Sequence, residues 1–236
     1  MLDLTGRVIM ISGANRGIGL AVAHRLLDAG AKLSLGMRNI AVITTQFGET
    51  QQIILNRYDA HDAGSAQQWV ENTVSTFGKI DGLVNNAGIS KPAVSLMDDD
   101  ETELDNMWAV NVKGPTRLTR FAMPYLAESG TGRVVNVASL SGKRVKNDNM
   151  GYAMTKFAIV ALTHATRRQG WDQGIRATAI CPSFVRTDMT SDVSGVDPND
   201  MIQPQDLAEL IQTALTLPNN AVVAEMLVNY TLEDMF

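Results

Sequence analysis

Apolar residues along this chain gather into short blocks at Arg7–Ser12, Ala31–Gly36, Gln52–Arg57, Gly82–Val84, Arg133–Ala138, Ile175–Ile180 and Val222–Val228. Each block is too short for a helix of ordinary length and is followed closely by small or polar residues, the pattern of buried strands. Between the blocks the apolar positions change to helical spacing, as in Leu20–Leu27, Glu101–Leu126 and Tyr152–Arg168. Strand and helix therefore alternate along the whole chain. That order predicts an α/β fold, a doubly wound parallel sheet of about seven strands with helices on both faces. In such sheets ligands bind beyond the carboxyl ends of the strands, where Gly13, Asn85, Ser139 and Pro182 fall.

The first strand runs into Ser12-Gly13-Ala14-Asn15-Arg16-Gly17-Ile18-Gly19 and then into a helical stretch. A glycine-rich strand-to-helix turn lets backbone N–H groups and the positive end of the helix dipole approach a pyrophosphate, with glycine where a Cβ would block it. Farther along, Tyr152 and Lys156 stand one helical turn apart, and Ser139 ends the apolar run that precedes them. A hydroxyl, a phenol and an ammonium spaced this way can converge on one carbonyl oxygen.

Together with Asn85-Asn86-Ala87-Gly88, Asn111 and the segment Cys181–Asp188, these motifs make the chain resemble the short-chain dehydrogenase/reductase family from about Leu4 to its end. The resemblance implies a Rossmann fold over one domain, residues 1–236, and a nicotinamide-dependent oxidoreductase that interconverts a small carbonyl compound and its alcohol. It implies catalytic roles for Ser139, Tyr152, Lys156 and Asn111, with Tyr152 as general acid/base. Lys156 would also hold the nicotinamide ribose, and Asn111 would serve a water-mediated proton relay, or simply brace backbone groups. Electrostatics adds that a cation one turn away should lower the Tyr152 pKa. Cofactor contacts carried over from the family fall on Gly13, Asn15, Arg16, Gly17, Ile18, Gly19, Asp59, Ala60, Asn85, Ala87, Gly88, Tyr152, Lys156, Pro182, Val185 and Thr187. Asn85 serves equally as a brace for the central sheet. Ser141, next to Ser139, is expected on the substrate side.

Cofactor preference is read at the end of the second strand. NAD-preferring relatives carry an acid there for the ribose hydroxyls, and this chain has Met37 followed by Arg38. Arg38 and Arg16 could pair with a 2′-phosphate dianion, so NADP(H) is expected, with NAD(H) second. The alternative for both arginines is ordinary surface ion pairing.

Two departures from the family pattern stand out. Pro182-Ser183 replaces the usual Pro-Gly, and the tail after Val222 lacks a glycine pair. Substrate choice would lie in the loops Leu140–Met150 and Thr190–Gln203. Lys143, Arg144 and Lys146 in the first of these read either as a solvated basic loop or as a lure for an anionic substrate.

With 236 residues, 45% of them hydrophobic, the chain has material for one large domain. A net charge of −5 gives no basic footprint for nucleic acid, and no segment approaches the length of a membrane span. No charged leader is seen and Cys181 is the only cysteine, so a cytoplasmic location is expected. His24, His61 and His164 have no ligand spacing, and no metal is expected. The run Asp98–Glu101 reads as an acidic first helical turn. Relatives pair their long helices across two-fold axes, which implies a homodimer or homotetramer. The competing reading is a non-catalytic NADP(H)-binding sensor or partner subunit.

Overall fold

A computed structural model of the chain describes residues 1–42, 46–47 and 50–233. Seven parallel strands form one sheet in the order β3-β2-β1-β4-β5-β6-β7. They are β1 (Val8–Ser12), β2 (Lys32–Met37), β3 (Ile53–Arg57), β4 (Gly82–Asn85), β5 (Arg133–Val137), β6 (Arg176–Pro182) and β7 (Glu225–Val228). The helices are α1 (Gly17–Asp28), α2 (Ala63–Phe77), α3 (Thr102–Trp108), α4 (Gly114–Glu128), α5 (Met150–Gly170) and α6 (Pro204–Thr216). The order reverses between β1 and β4, which opens a crevice above their carboxyl ends.

The period of two along each strand divides its side chains between two cores. Ile9, Ile11, Leu33, Leu35, Val84, Val135 and Ile180 face α1 and α6. Met10, Leu83, Val134 and Ala177 face α2 and α4 on the other side. Ala138, Ala179 and Cys181 meet Ile159 and Val160 of α5. Cys181 is fully buried, and burial pushes its thiol up to about 11. Among the described residues no helix is long and apolar enough to cross a membrane.

Three expected boundaries shift. β7 begins at Glu225 rather than Val222, because the Thr178 hydroxyl takes the Val223 carbonyl and breaks the ladder there. The acidic run precedes α3 rather than forming its first turn, with Asp100 accepting from the Thr102 N–H. The single helix expected over Glu101–Leu126 is interrupted by a π-helical turn at Ala109–Lys113. Pro115, with no N–H to offer the Asn111 carbonyl four residues earlier, stands where this turn gives way to α4.

At the amino ends of the strands, Arg133 is buried and donates to the carbonyls of Gly132, Gly174 and Leu217 and to Asn219. Leu217 closes α6, so this cation answers the negative end of a helix dipole. Gly36 in β2 sits under the Trp69 ring, where an added Cβ would lie 2.4 Å from the ring. Trp69 is itself fixed by its N–H to the Ser34 hydroxyl, 2.8 Å. Gly36→Ala should therefore destabilise the fold by about 1–3 kcal/mol. Thermal denaturation would show a loss of roughly 2–4 °C for each kcal/mol in a chain of this size; an unchanged Tm would mean that Trp69 moves aside freely.

Candidate active site

The glycine turn after β1 is built for close approach. Gly13 has a φ of 67°, and a Cβ there would lie 3.0 Å from the Ala87 Cα. At Gly19 a Cβ would lie 2.3 Å from the Gly13 carbonyl oxygen. The Ser12 hydroxyl accepts the N–H groups of Asn86 and Ala87, and the Asn86 amide donates to the carbonyls of Ser12 and Gly13. The loops after β1 and β4 are thus clamped side by side.

The start of α1 differs from that of α2. Asp62 caps α2 through the Gly64 N–H, whereas α1 begins at Arg16 with no side-chain cap and no acid in its first turn. Its first N–H groups and dipole remain available to an anion. Beside this helix start lies a cavity lined by Gly13, Asn15, Arg38, Asp59, Ala60 and Ala87, all anticipated from the sequence. Gly36, Met37, Tyr58, His61, Ile89 and Val110 complete the lining. Met37 was read above for cofactor preference; the other five were not anticipated as site residues, although each stands within two residues of a motif already singled out. The uncapped helix, the glycines and the cavity fit a dinucleotide.

The catalytic candidates meet above β5 and β6. Ser139 caps the 3₁₀ turn Leu140–Gly142; its hydroxyl accepts the Ser141 N–H at 3.1 Å and donates to the Pro182 carbonyl at 3.4 Å. Asn149 caps α5 by accepting the Tyr152 N–H, and its amide donates to the Ser90 carbonyl. The same residue thus positions Tyr152 and ties α5 to the loop after β4. Lys156 is buried, donates to the Val137 carbonyl at 2.8 Å and lies 5.5 Å from the centre of the Tyr152 ring.

Burial pushes the Tyr152 phenol up to about 12, and the Ser139 hydroxyl draws it back only in part. Burial also pulls the Lys156 ammonium down to about 8. The expected lowering of the Tyr152 pKa by its neighbouring lysine does not appear among the influences on the phenol, which are burial and the Ser139 hydroxyl.

Asn111 lies in the π-helical turn. Its side chain accepts the Ile89 N–H and donates to the Ile89 carbonyl and the Thr155 hydroxyl. That is the bracing alternative; any relay would fall to its backbone. A Cβ on Gly88 would lie 3.3 Å from the Asn111 side chain and 3.8 Å from the Lys156 nitrogen, which places the three residues together. The Asn85 amide donates to Thr119 and Asn136, so its side chain braces the sheet.

Thr187 packs against Gly17 and forms a reciprocal cap with Thr190, while Val185 is buried and Ile18 packs on the same core. Arg16 pairs with Asp188 at 2.8 Å across the cleft mouth, the ion-pair alternative in this structure. Arg38 is exposed at the cavity rim. Lys143 pairs with Glu225, and Arg144 and Lys146 pair with Glu233, Lys146 remaining largely exposed.

The depressed Lys156 pKa has a signature in stability. The unfolded chain keeps that proton up to 10.5 and the folded chain only to about 8, so between these values the unfolded state binds more protons and stability rises with pH. Tyr152 acts oppositely above its ordinary value of 10. Lys156→Met should remove a rise on the order of 3 kcal/mol. Tm measured for both proteins between pH 7.5 and 9.5 would converge toward high pH if Lys156 is the source, and run parallel if it is not.

Comparison with known proteins gives this geometry a context. The short chain dehydrogenase family model matches residues 7–196. An agropine synthesis reductase of Rhizobium rhizogenes is 44% identical over 217 residues, covering 92% of this chain and 50% of that protein, so the chain spans about half the length of this relative. An uncharacterized oxidoreductase of Staphylococcus aureus is 30% identical and matches 97% of this chain and 99% of its own. Among solved structures, a 3-ketoacyl-(acyl-carrier-protein) reductase from Brucella melitensis, complexed with NADH, superposes with a TM-score of 0.88 at 28% identity, covering 96% of this chain and 98% of its own. An alcohol dehydrogenase from the archaeon Thermococcus sibiricus, complexed with 5-hydroxy-NADP, does so at 0.82 and 26%, covering 94% and 95%. With most of its length matched by the family model and its site assembled at the strand ends, the chain belongs to the short chain dehydrogenase family of oxidoreductases.

Proposed function

We propose that residues 1–236 form one catalytic unit, an NADP(H)-dependent oxidoreductase that interconverts a small carbonyl compound and its alcohol. The observation that carries this reading is the meeting of Ser139, Tyr152 and Lys156 at one desolvated point above β5. A bound nicotinamide would supply or accept the hydride. Gly13, Asn15, Gly17, Ile18 and Gly19 would hold its diphosphate, Asp59, Ala60, Ala87 and Gly88 its adenosine, and Lys156, Pro182, Val185 and Thr187 its nicotinamide half.

Ser139 and Tyr152 donate hydrogen bonds to the substrate oxygen, and Tyr152 gives up its proton as negative charge gathers there. A phenol held well above its ordinary pKa enters the reaction protonated, which suits reduction at neutral pH. The Lys156 cation stabilises the phenolate left behind. Ser141, whose N–H fixes the Ser139 oxygen, stands on the substrate side. The reductase names of the Rhizobium rhizogenes and Brucella melitensis proteins support the same direction.

Met37 and Arg38 at the cavity support NADP(H) over NAD(H), because no carboxylate stands at the end of β2 to repel a 2′-phosphate. Arg16 can join Arg38, since an exposed ion pair such as that with Asp188 is worth only about 0–1 kcal/mol and yields to a dianion. A cytoplasmic homo-oligomer acting on a small molecule completes the proposal.

NADPH consumption followed across a panel of aldehydes, ketones, quinones and keto acids tests the proposal. Tyr152→Phe should lower kcat by about 10²–10⁴-fold. Arg38→Ala should weaken NADPH by about tenfold or more, with little change for NADH. Tight NADPH binding with no turnover of any carbonyl would favour the sensor reading. Preference for NADH would overturn the roles given to Arg38 and Arg16.

A further inference from the structure

Ser183 stands where the family resemblance leads one to expect glycine, and the structure gives its hydroxyl two partners. It accepts the Tyr230 N–H at 2.9 Å and donates to the Val228 carbonyl at 3.2 Å, which also receives the Ser183 N–H at 2.8 Å. A glycine would keep only the backbone bond. Next to it, the rings of Phe184 and Tyr230 pack 5.7 Å apart. The chain leaving β7 is therefore pinned against the segment that leads from Pro182 toward Thr187.

Three residues past Tyr230 the tail makes a second attachment. Glu233 is 6% exposed, and its carboxylate accepts from Arg144 Nη2 at 2.7 Å, Arg144 Nε at 3.1 Å and Lys146 Nζ at 3.1 Å. Arg144 is bonded through its own N–H to the Leu140 carbonyl, in the 3₁₀ turn that Ser139 caps. The loop between Ser139 and Tyr152 and the loop after β6 are thus fastened to one short stretch of tail. The paired fork of Arg144 gives that fastening direction as well as strength.

We propose that residues 229–233 form a strap from the segment after β6 to the substrate-side loop after Ser139, with Ser183 as its anchor and Glu233 as the positioning residue that sets affinity for the carbonyl substrate. The proposal rests on the oxidoreductase reading of the site. The strap touches neither the glycine turn nor the Arg38 cavity; its Ser183 end holds the segment assigned above to the nicotinamide half, and its Glu233 end holds the loop on the substrate side. Binding of substrate between walls already held in place avoids the entropy of ordering them.

Three full-chain variants test it: Glu233→Gln, Ser183→Gly, and the charge exchange Arg144→Glu with Glu233→Arg. With protein saturated in NADPH, hydrogen exchange should quicken over residues 140–149 in Glu233→Gln and over 183–186 in Ser183→Gly, and return toward wild type in the exchanged pair. With NADPH and 4-nitrobenzaldehyde, Glu233→Gln should raise the aldehyde KM by roughly tenfold while kcat stays within about twofold. The Kd for NADPH, read by fluorescence, should not move in Glu233→Gln. Unchanged exchange and KM in Glu233→Gln would overturn the strap, as would a joint fall in kcat, NADPH affinity and Tm. If the wild type binds NADPH yet leaves the aldehyde untouched, the oxidoreductase reading fails for that probe, and the exchange pattern alone decides the strap.

Discussion

A lysine ammonium buried against one backbone carbonyl is the constraint around which this structure is arranged. Lys156 reaches the Val137 carbonyl at the end of β5, and little water remains to solvate the charge. Burying a cation with so few partners is unfavourable, which the depressed pKa records. Neighbouring elements must then fit the helix that carries it. Gly142 lies so close that a Cβ would come within 2.5 Å of the Lys156 carbonyl oxygen, and Gly88 leaves room between Asn111 and the ammonium. Asn149 sets the start of α5, and with it the height at which Tyr152 and Lys156 meet the sheet.

The surroundings grade from rigid to yielding with distance from that point. Ser12, Asn86 and Asn111 fix the loops after β1 and β4 through buried or half-buried hydrogen bonds. Farther out, the segment after Thr187 is held by exposed pairs, Arg16 with Asp188 and Lys91 with Asp192. Such pairs contribute little and exchange readily, so this side of the cleft can part for a ligand. The wall beyond Ser139 is different, because its basic residues are tied to Glu225 and to the nearly buried Glu233.

Sequence pattern carried the sheet well, since continuous apolar blocks separated by helical spacing admit few arrangements besides a parallel one. The chemistry-bearing groups were legible for the same reason: Gly13, Ser139 and Pro182 stand where strands stop. Less visible were features that depend on partners distant in sequence. The π-helical turn gives way to α4 near Pro115, a junction hidden inside an otherwise helical pattern. The ion pairs of Arg144 and Lys146 join residues nearly ninety positions apart, so no local spacing could announce them. The raised Tyr152 pKa likewise depends on how far the fold buries the phenol, which a Tyr-x-x-x-Lys spacing does not state.

The account turns on a phenol that stays protonated in its half-buried place beside Ser139. Tyrosine labelled with carbon-13 at Cζ, with the Tyr152 resonance assigned by its loss in Tyr152→Phe, would report that proton directly by NMR. A resonance that remains phenolic through pH 10, the ordinary midpoint, and titrates only toward about 12 is the predicted result. Ionisation at or below pH 9 would contradict it, and would make the phenolate the resting form of the site.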